Sequence, residues 1–363
     1  MLSTQRMDAG ESVKMNNTEL DDLKRWLQTI FTDKLVIIVG SGLSCAEGLP
    51  GMRDLGEKLK REIPSKISDE NLKTWSEIAA CLESDGLEGA LLKHPANDEI
   101  ESAIIKITAE YVLNKEQEAI NRCISENKKL KFSYLLPHIS ASPPKIARVI
   151  TTNYDRLIEF AAEYEDWGVD SMMVGRYWGK HDPELSKTLL AKDFLSKGQT
   201  GRFVYRNHIK IYKPHGSLDW FMAGDIPMTN CIGTVKEPLI ITPGIGKYKK
   251  GYGQPFDAHR EKGNSAIDNA SAILCIGYGF NDDHLQTHLT TKIKSGIKTL
   301  ILTRSLSDNA RKVVSESSNC RALIRNENPQ GTIVVSHSKE VTIPAVNWWD
   351  IEYFVKEVLE NGN

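Results

Sequence analysis

The sequence is poor in cysteine, and its few cysteines are too widely spaced to form a recognisable metal or redox motif. They are Cys45, Cys81, Cys123, Cys231, Cys275 and Cys320. Because no two of them form a C-x-x-C pair, the sequence excludes a zinc ribbon and a thioredoxin-like motif, and we expect no metal site. Their dispersal predicts reduced thiols in a cytoplasmic protein.

An excess of charge of either sign is also missing. The formal net charge is −2, which argues against a general nucleic-acid coat, and we expect no direct binding of nucleic acid. No apolar stretch is long enough to cross a bilayer. The N-terminal residues 1–17 lack the apolar segment of a signal peptide. We therefore expect a cytoplasmic protein without a membrane partner.

The sequence does contain short, mostly β-branched runs that alternate with stretches of helical pattern. The runs are residues 35–39, 148–152, 208–212, 239–242, 272–276, 299–303 and 332–335, the last interpreted as an edge strand. This alternation predicts an α/β fold with a Rossmann-like, mostly parallel sheet and helices on both faces. Ligands of such sheets bind at the carboxyl ends of the strands.

The spacing of these runs predicts how the chain is divided. Residues 1–17 are polar and predict a flexible tail. The first two runs lie far apart, although a βαβ unit usually needs only about 30 residues. The pattern between them is mostly helical. We therefore interpret 57–145 as a helical insertion into a domain formed by 18–56 and 146–363.

A glycine-rich turn follows the first predicted strand and contains Gly40, Ser41, Gly42 and Ser44. Glycines let the backbone approach a pyrophosphate, and the N–H groups of a following helix point at the phosphates. However, Cys45 replaces the third glycine of the usual dinucleotide fingerprint, and no ribose-binding acid follows on a second strand. For this motif alone, a phosphate loop and a plain tight turn both remain open.

A second loop follows closely and contains Gly48, Pro50 and Gly51 before Arg53. It is near enough to the first turn to close over a ligand. Arg53 can bind a phosphate, a ribose or a carboxylate. The alternative for Arg53 is a surface ion pair.

Polar side chains also follow two later strands. Asn153 and Asp155 come directly after the run 148–152. An amide can orient a ribose hydroxyl or a water because it both donates and accepts, whereas Asp155 can bind a carboxamide or cap the next helix. His215 follows the run 208–212, and imidazole suits proton transfer near neutral pH. A lone histidine is more often structural, but this one lies at a strand end among other polar, glycine-rich ends.

A last glycine turn follows the run 272–276 and contains Gly277, Tyr278, Gly279 and Asn281. Its glycines permit close approach of the backbone to a ligand, and Asn281 can bind a phosphate or a ribose. The alternative is an ordinary turn in which Asp282 caps the next helix.

In order and placement, these motifs resemble the sirtuin-like superfamily, and in particular its bacterial branch that hydrolyses NAD in antiphage defence. Residues 40–44 resemble the phosphate loop, 48–50 with Arg53 the cofactor-closing loop, 152–155 the nicotinamide pocket, His215 with Gly216 the catalytic histidine, and 277–279 the late glycine turn. The resemblance runs from about residue 34 to 305. The zinc-ribbon cysteines of the protein deacylases are missing, and Gly51 and Met52 replace their Asp-Phe pair.

The resemblance implies an NAD glycohydrolase that needs no metal. Asn153 and His215 would be catalytic, Asp155 would bind the carboxamide, and residues 40–42 would anchor the pyrophosphate. The amphipathic helices of the insertion predict self-assembly or partner docking, so we expect a homo-oligomer. For some relatives, the resemblance implies a HerA-type DNA-translocating ATPase as a partner subunit. Two other functions remain open at this point: an NAD-dependent protein deacylase and a non-catalytic sensor of NAD or ADP-ribose.

Overall fold

The computed structural model describes residues 15–175, 177–197, 200–230, 237–242 and 253–360. Of the predicted flexible tail 1–17, residues 1–14 lie outside the described residues. Asn16 caps the first helix, which begins at Asn17. Cys231 also lies outside the described residues.

Fifteen strands are described. In chain order, β1 to β15 are Leu35–Val39, Ile146–Thr151, Gly168–Asp170, Met173–Val174, Trp178–His181, Ala191–Lys197, Thr200–Tyr205, His208–Tyr212, Trp220–Ala223, Ile226–Asn230, Ala272–Ile276, Lys298–Thr303, Cys320–Glu327, Gln330–Ser336 and Glu340–Pro344.

The described α-helices are numbered in the same way. In chain order, α1 to α11 are Asn17–Gln28, Ser41–Ala46, Met52–Glu62, Asp69–Lys93, Asp98–Ser125, Leu157–Tyr164, Pro183–Thr188, Phe256–Asp268, Asp283–Lys294, Asp308–Ser315 and Ile351–Phe354. Short 3₁₀ segments cover Ile63–Ser65 and Lys131–His138, and a π-helical turn, Val355–Glu360, continues α11.

Nine strands form one central sheet in the order β15-β14-β13-β12-β11-β1-β2-β8-β3. From β13 to β3 all neighbours are parallel, whereas β14 and β15 add antiparallel strands at one edge. The sheet is therefore a mostly parallel, Rossmann-like α/β sheet, as predicted.

The central strand β1 shows why both faces of this sheet are covered. Its side chains alternate between the two faces, so Leu35, Ile37 and Val39 join one hydrophobic cluster while Val36 and Ile38 join the other. All five residues of β1 are buried. A strand buried on both sides reads as a continuous apolar run, which is the pattern that identified it in the sequence.

The helices α3, α4 and α5 share a hydrophobic cluster of their own. Helices α4 and α5 lie within the stretch 57–145 predicted as an insertion, whereas α3 begins before it, at Met52. The shared cluster includes Leu59, Trp75 and Ile104. The last turns of α5 and the 3₁₀ segment that follows it instead pack into the main core, through residues such as Ala119 and Leu135. The far end of α5 is therefore continuous with the sheet domain.

Two of the predicted strands differ from the structure. The run 239–242 forms only an isolated bridge between Ile240 and Gly216. The run 332–335 lies within β14, but β15 pairs with its outer side, so the prediction that it is the edge strand was wrong. None of the helices formed by the described residues is long and apolar enough to cross a membrane.

Candidate functional site

A cavity of about 270 Å³ opens at the carboxyl ends of β1, β2, β8 and β11. The turns after these four strands meet there because parallel strands end at the same edge of a sheet. Of the candidate catalytic and cofactor-binding residues, those lining the cavity are Gly40, Ser41, Ser44, Asn153, Asp155, His215, Tyr278, Gly279 and Asn281. Pro50, Gly51 and Met52 of the second loop line it as well.

Three of the predicted binding residues do not line this cavity. Gly42 and Gly277 pack against each other instead: a Cβ on Gly42 would lie 2.6 Å from the Gly277 Cα, and the Gly42 N–H donates to the Gly277 carbonyl. Their glycine identity is thus explained by contact between two turns, and a phosphate is not needed to explain it. Arg53 is exposed on α3. For these three residues, contact with a ligand stays a prediction.

Asn153 is buried at the end of β2, and its side chain bridges to the turn after β1. Its Nδ2 donates to the Gly40 carbonyl at 2.9 Å and to the Ser44 Oγ at 2.8 Å. Since a carbonyl can only accept, Nδ2 must face Gly40, and this fixes the orientation of the amide. The amide oxygen makes no hydrogen bond to another described residue. Asn153 therefore offers an acceptor, Oδ1, at the cavity.

Ser44 links Asn153 to Asp155. The Ser44 hydroxyl accepts from Asn153 and donates to Asp155 Oδ2 at 2.7 Å. The other carboxylate oxygen of Asp155 accepts the Leu157 N–H at 3.2 Å, at the start of α6. Asp155 thus holds the helix start and lines the cavity as well, so its two predicted roles are compatible.

Lys213 binds the backbone of this segment. The sequence did not single it out. It is fully buried, and its Nζ donates to the Asp155 carbonyl at 2.5 Å and to Glu159 Oε1 at 3.1 Å. Burial raises the pKa of Glu159, whereas the adjacent Lys213 ammonium acts in the opposite direction. Lys213, paired with Glu159, therefore holds the backbone of Asp155 in place.

His215 follows β8 and lies against Asp282, which comes from the turn after β11. The His215 Nε2 lies 2.5 Å from Asp282 Oδ2. The two atoms are in close contact, but the geometry is not that of a regular hydrogen bond. The second oxygen, Oδ1, accepts the Leu285 N–H at 3.3 Å. The sequence pattern indicated only a capping role for Asp282 and gave no sign of its contact with His215.

Three helices that follow β1 in the chain also line the cavity. Leu55 of α3, Glu88 of α4, and Thr108 and Val112 of α5 line the cavity. Apolar periodicity marked α5 as helical but gave no sign that it reaches the site. Helices α4 and α5, which lie within the stretch 57–145 predicted as an insertion, therefore contribute directly to the cavity.

Within the described ranges, no group of three or more His, Cys, Asp or Glu side chains is arranged to hold a metal ion. The groups gathered at the cavity are an amide oxygen, a carboxylate and an imidazole with its carboxylate partner. Such groups can orient a ribose, bind an amide and accept a proton.

Residues 147–323 match the family model described as a SIR2-like domain. The match contains Asn153, Asp155, His215 and Asp282, whereas the glycine turn after β1 lies outside it. It supports the sirtuin-like superfamily for this chain and suggests an NAD-dependent activity. It does not distinguish among the reactions of that superfamily.

Several solved sirtuin structures are similar to the whole chain at low identity. One, "The Structural basis of Sirtuin Substrate Affinity", is 15% identical, with a TM-score of 0.42 over 96% of this chain and 100% of that one. Another, a crystal structure of a Sir2 homologue–NAD complex, is 11% identical, with a TM-score of 0.43 over 98% of each chain. Similarity at this level supports no argument about activity. No curated protein matches the sequence.

Proposed function

We propose that this SIR2-like protein is an NAD glycohydrolase that releases nicotinamide and ADP-ribose. The observation that carries the proposal is the convergence of the Asn153 amide oxygen, the Asp155 carboxylate and the His215–Asp282 pair on one cavity. The SIR2-like match also supports the proposal, because it contains all four residues.

The reaction needs little chemical activation. In NAD the nicotinamide ring nitrogen carries a positive charge, so the bond from ribose C1′ to that nitrogen breaks with its electron pair moving to the ring. The ribose then resembles an oxocarbenium ion, and the oxygen of a water forms the new bond to C1′. The enzyme must hold the ribose, bind the leaving nicotinamide and accept the proton of the water.

Each of these tasks has a candidate side chain. The Asn153 Oδ1 can accept a hydrogen bond from a ribose hydroxyl or from the attacking water. Asp155 would bind the carboxamide of nicotinamide, and Gly40 and Ser41 would lie along the pyrophosphate. His215 would take the proton, directly or through a ribose hydroxyl, because its Nδ1 has no partner among the described residues while Nε2 faces Asp282.

The resemblance of the strand-end motifs extends the proposal to a biological role. The protein would be an effector of bacterial antiphage defence that depletes NAD, acting as a homo-oligomer and in some settings with a HerA-type ATPase subunit. Expression in bacteria challenged with phage, with NAD measured over time, tests this role separately from the chemistry. Unchanged NAD during infection would exclude it.

The chemistry is tested by incubating the purified protein with NAD and separating the products by chromatography. We expect nicotinamide and ADP-ribose, and no product from Asn153→Ala or His215→Ala. Matched controls are Asn319→Ala and His288→Ala, which change the same residue types outside the cavity. Loss of NAD at the parent rate by either site variant would show that the roles are wrongly assigned.

The two alternative functions give different results in the same experiment. A protein deacylase would consume NAD only when an acyl-lysine peptide is added, and would release the deacylated peptide. A sensor would bind NAD without forming either product. Binding is measured by titration calorimetry on the same preparation.

A further inference from the structure

The helix α5 packs against the segments of the candidate site through its middle turns. Ala109 and Leu113 are buried in a cluster with Leu218 and Ile240 from the segments around His215. Tyr154, the residue after Asn153, packs against the same cluster. The middle of α5 therefore has a defined position relative to the strand ends.

Two charged contacts anchor α5 further along. Glu116 is fully buried and accepts from the Arg156 guanidinium, with 3.0 Å between Nε and Oε1. The Arg122 guanidinium donates to the Glu47 carbonyl, in the loop beside the cavity. Arg156 follows Asp155 directly in the chain. The helix is thus tied to the two segments that form the cavity's walls.

Thr108 lies two turns before Glu116 on this helix and lines the cavity. Its side chain is 1% exposed, and its Oγ1 is buried without a hydrogen-bond partner. A threonine inside a helix can bond to the carbonyl four residues earlier, but the Thr108 hydroxyl makes no such bond. Buried hydroxyls are nearly always paired, so one left unpaired beside a cavity calls for an explanation.

We propose that the Thr108 hydroxyl binds the substrate, by hydrogen bonding to a polar group on the nicotinamide–ribose half of NAD. This inference rests on the proposed function and deepens it. The position of Thr108 indicates which half of NAD it would contact. Helix α5 shares a cluster with Tyr154. Tyr154 lies in the chain between Asn153 and Asp155, the residues assigned to the ribose and the carboxamide. The helical insertion would then be part of the substrate site.

Two substitutions separate a binding role from a structural one. Thr108→Val keeps the β-branched shape and removes the hydroxyl, whereas Thr108→Ser keeps the hydroxyl. If the hydroxyl binds substrate, Val should raise the KM for NAD about tenfold, as expected when a ligand loses one hydrogen-bond partner, while Ser should stay near the parent value. Val should also raise the melting temperature, because it removes a polar atom that is unpaired in the free protein.

The inference is tested by measuring KM and kcat for NAD, the affinities for NAD and ADP, and the melting temperature of all three proteins. Weaker NAD binding with unchanged ADP binding and a higher melting temperature in the valine variant is the expected result. Equal NAD affinity in the valine and parent proteins overturns the inference alone. A parent protein that binds NAD without cleaving it overturns the proposed reaction, yet its affinities still test Thr108. A parent that neither binds nor cleaves NAD overturns both.

Discussion

The His215 Nε2 and the Asp282 Oδ2 lie 2.5 Å apart, although 67 positions separate the two residues in the sequence. The turns after β8 and β11 bring them together in the lining of the cavity. A carboxylate in this position holds the imidazole in one orientation and stabilises the imidazolium that forms when the ring takes a proton. We therefore expect Asp282 to act as a positioning residue for His215.

Replacing Asp282 by asparagine tests this relationship, because the side chain keeps its shape and loses its charge. We expect kcat for NAD hydrolysis to fall by about a hundredfold or more, with a smaller change in KM, since the charge matters most when His215 is protonated. The matched control is Asp268→Asn, which removes the carboxylate from the exposed pair of Asp268 with His288. A parent-like kcat and pH profile in Asp282→Asn would contradict a positioning role.

Substitution of Lys213 by methionine should affect stability as well as activity. It leaves the half-buried Glu159 without its cation and the Asp155 carbonyl without a donor. Breaking a fully buried pair costs about 3–5 kcal/mol, and we expect a loss of up to this size. Urea denaturation measures the loss. The double variant Lys213→Met/Glu159→Leu should recover part of it, because no uncompensated acid remains. Equal stability of the single variant and the parent would show that the pair contributes little.

Met52 begins α3, lines the cavity and is 47% exposed. A flexible thioether beside Gly51 should cover the ribose face less rigidly than an aromatic ring would. Water should therefore reach the ribose more easily. We therefore expect Met52→Phe to lower the turnover of NAD several-fold without abolishing its binding, whereas Met52→Leu serves as the control of similar size. Turnover and affinity are measured on the same preparations. Unchanged turnover would show that this residue does not control access of water.

The buried His259 makes stability depend on pH. It is fully buried and its Nδ1 accepts the Lys213 N–H at 3.1 Å, and burial lowers the pKa of its imidazole well below 6.5. The unfolded chain takes up a proton near pH 6.5 while the native chain does not. The stability due to neutral His259 is thus complete above about pH 6.5 and is lost as the pH falls from there toward the native pKa.

The size of this effect is a slope of about 1.4 kcal/mol per pH unit below pH 6.5. We expect His259→Asn, which keeps an acceptor for Lys213, to remove that slope from the free energy of unfolding measured in urea between pH 5.5 and 7.5. His288→Asn, at an exposed position, should leave it unchanged. The same slope in the parent and the His259 variant would mean that other groups cause the pH dependence.

The sequence predicted the parallel part of the sheet well, because strands buried on both faces leave continuous apolar runs. It missed β13, Cys320–Glu327, whose burial is interrupted by half-buried residues such as Arg321. It also missed the small sheet β4-β5-β10-β9. Strands there are short and partly exposed, and their pairing depends on contacts that are distant in the sequence.

For the site, the strand-end rule found the polar residues that follow β1, β2, β8 and β11. It could not find Asp282 as the partner of His215, Lys213 as the support of Asp155, or Thr108 as part of the wall. Each of these depends on a side-chain contact across elements, which no local pattern encodes. Thr108 lies within an ordinary amphipathic helix, and only the fold places it at the cavity.

The backbone contact among Gly40, Gly42 and Gly277 has a consequence for how this protein can change over evolution. A Cβ on any one of them would lie within 2.6 Å of the opposing turn's backbone. This contact between the two turns is therefore closed to stepwise variation, because no single neighbouring change makes room for a side chain. Substitutions that alter ligand preference should instead accumulate in the helices α3 to α5 that line the cavity. Relatives with different specificities should therefore differ most in those helices.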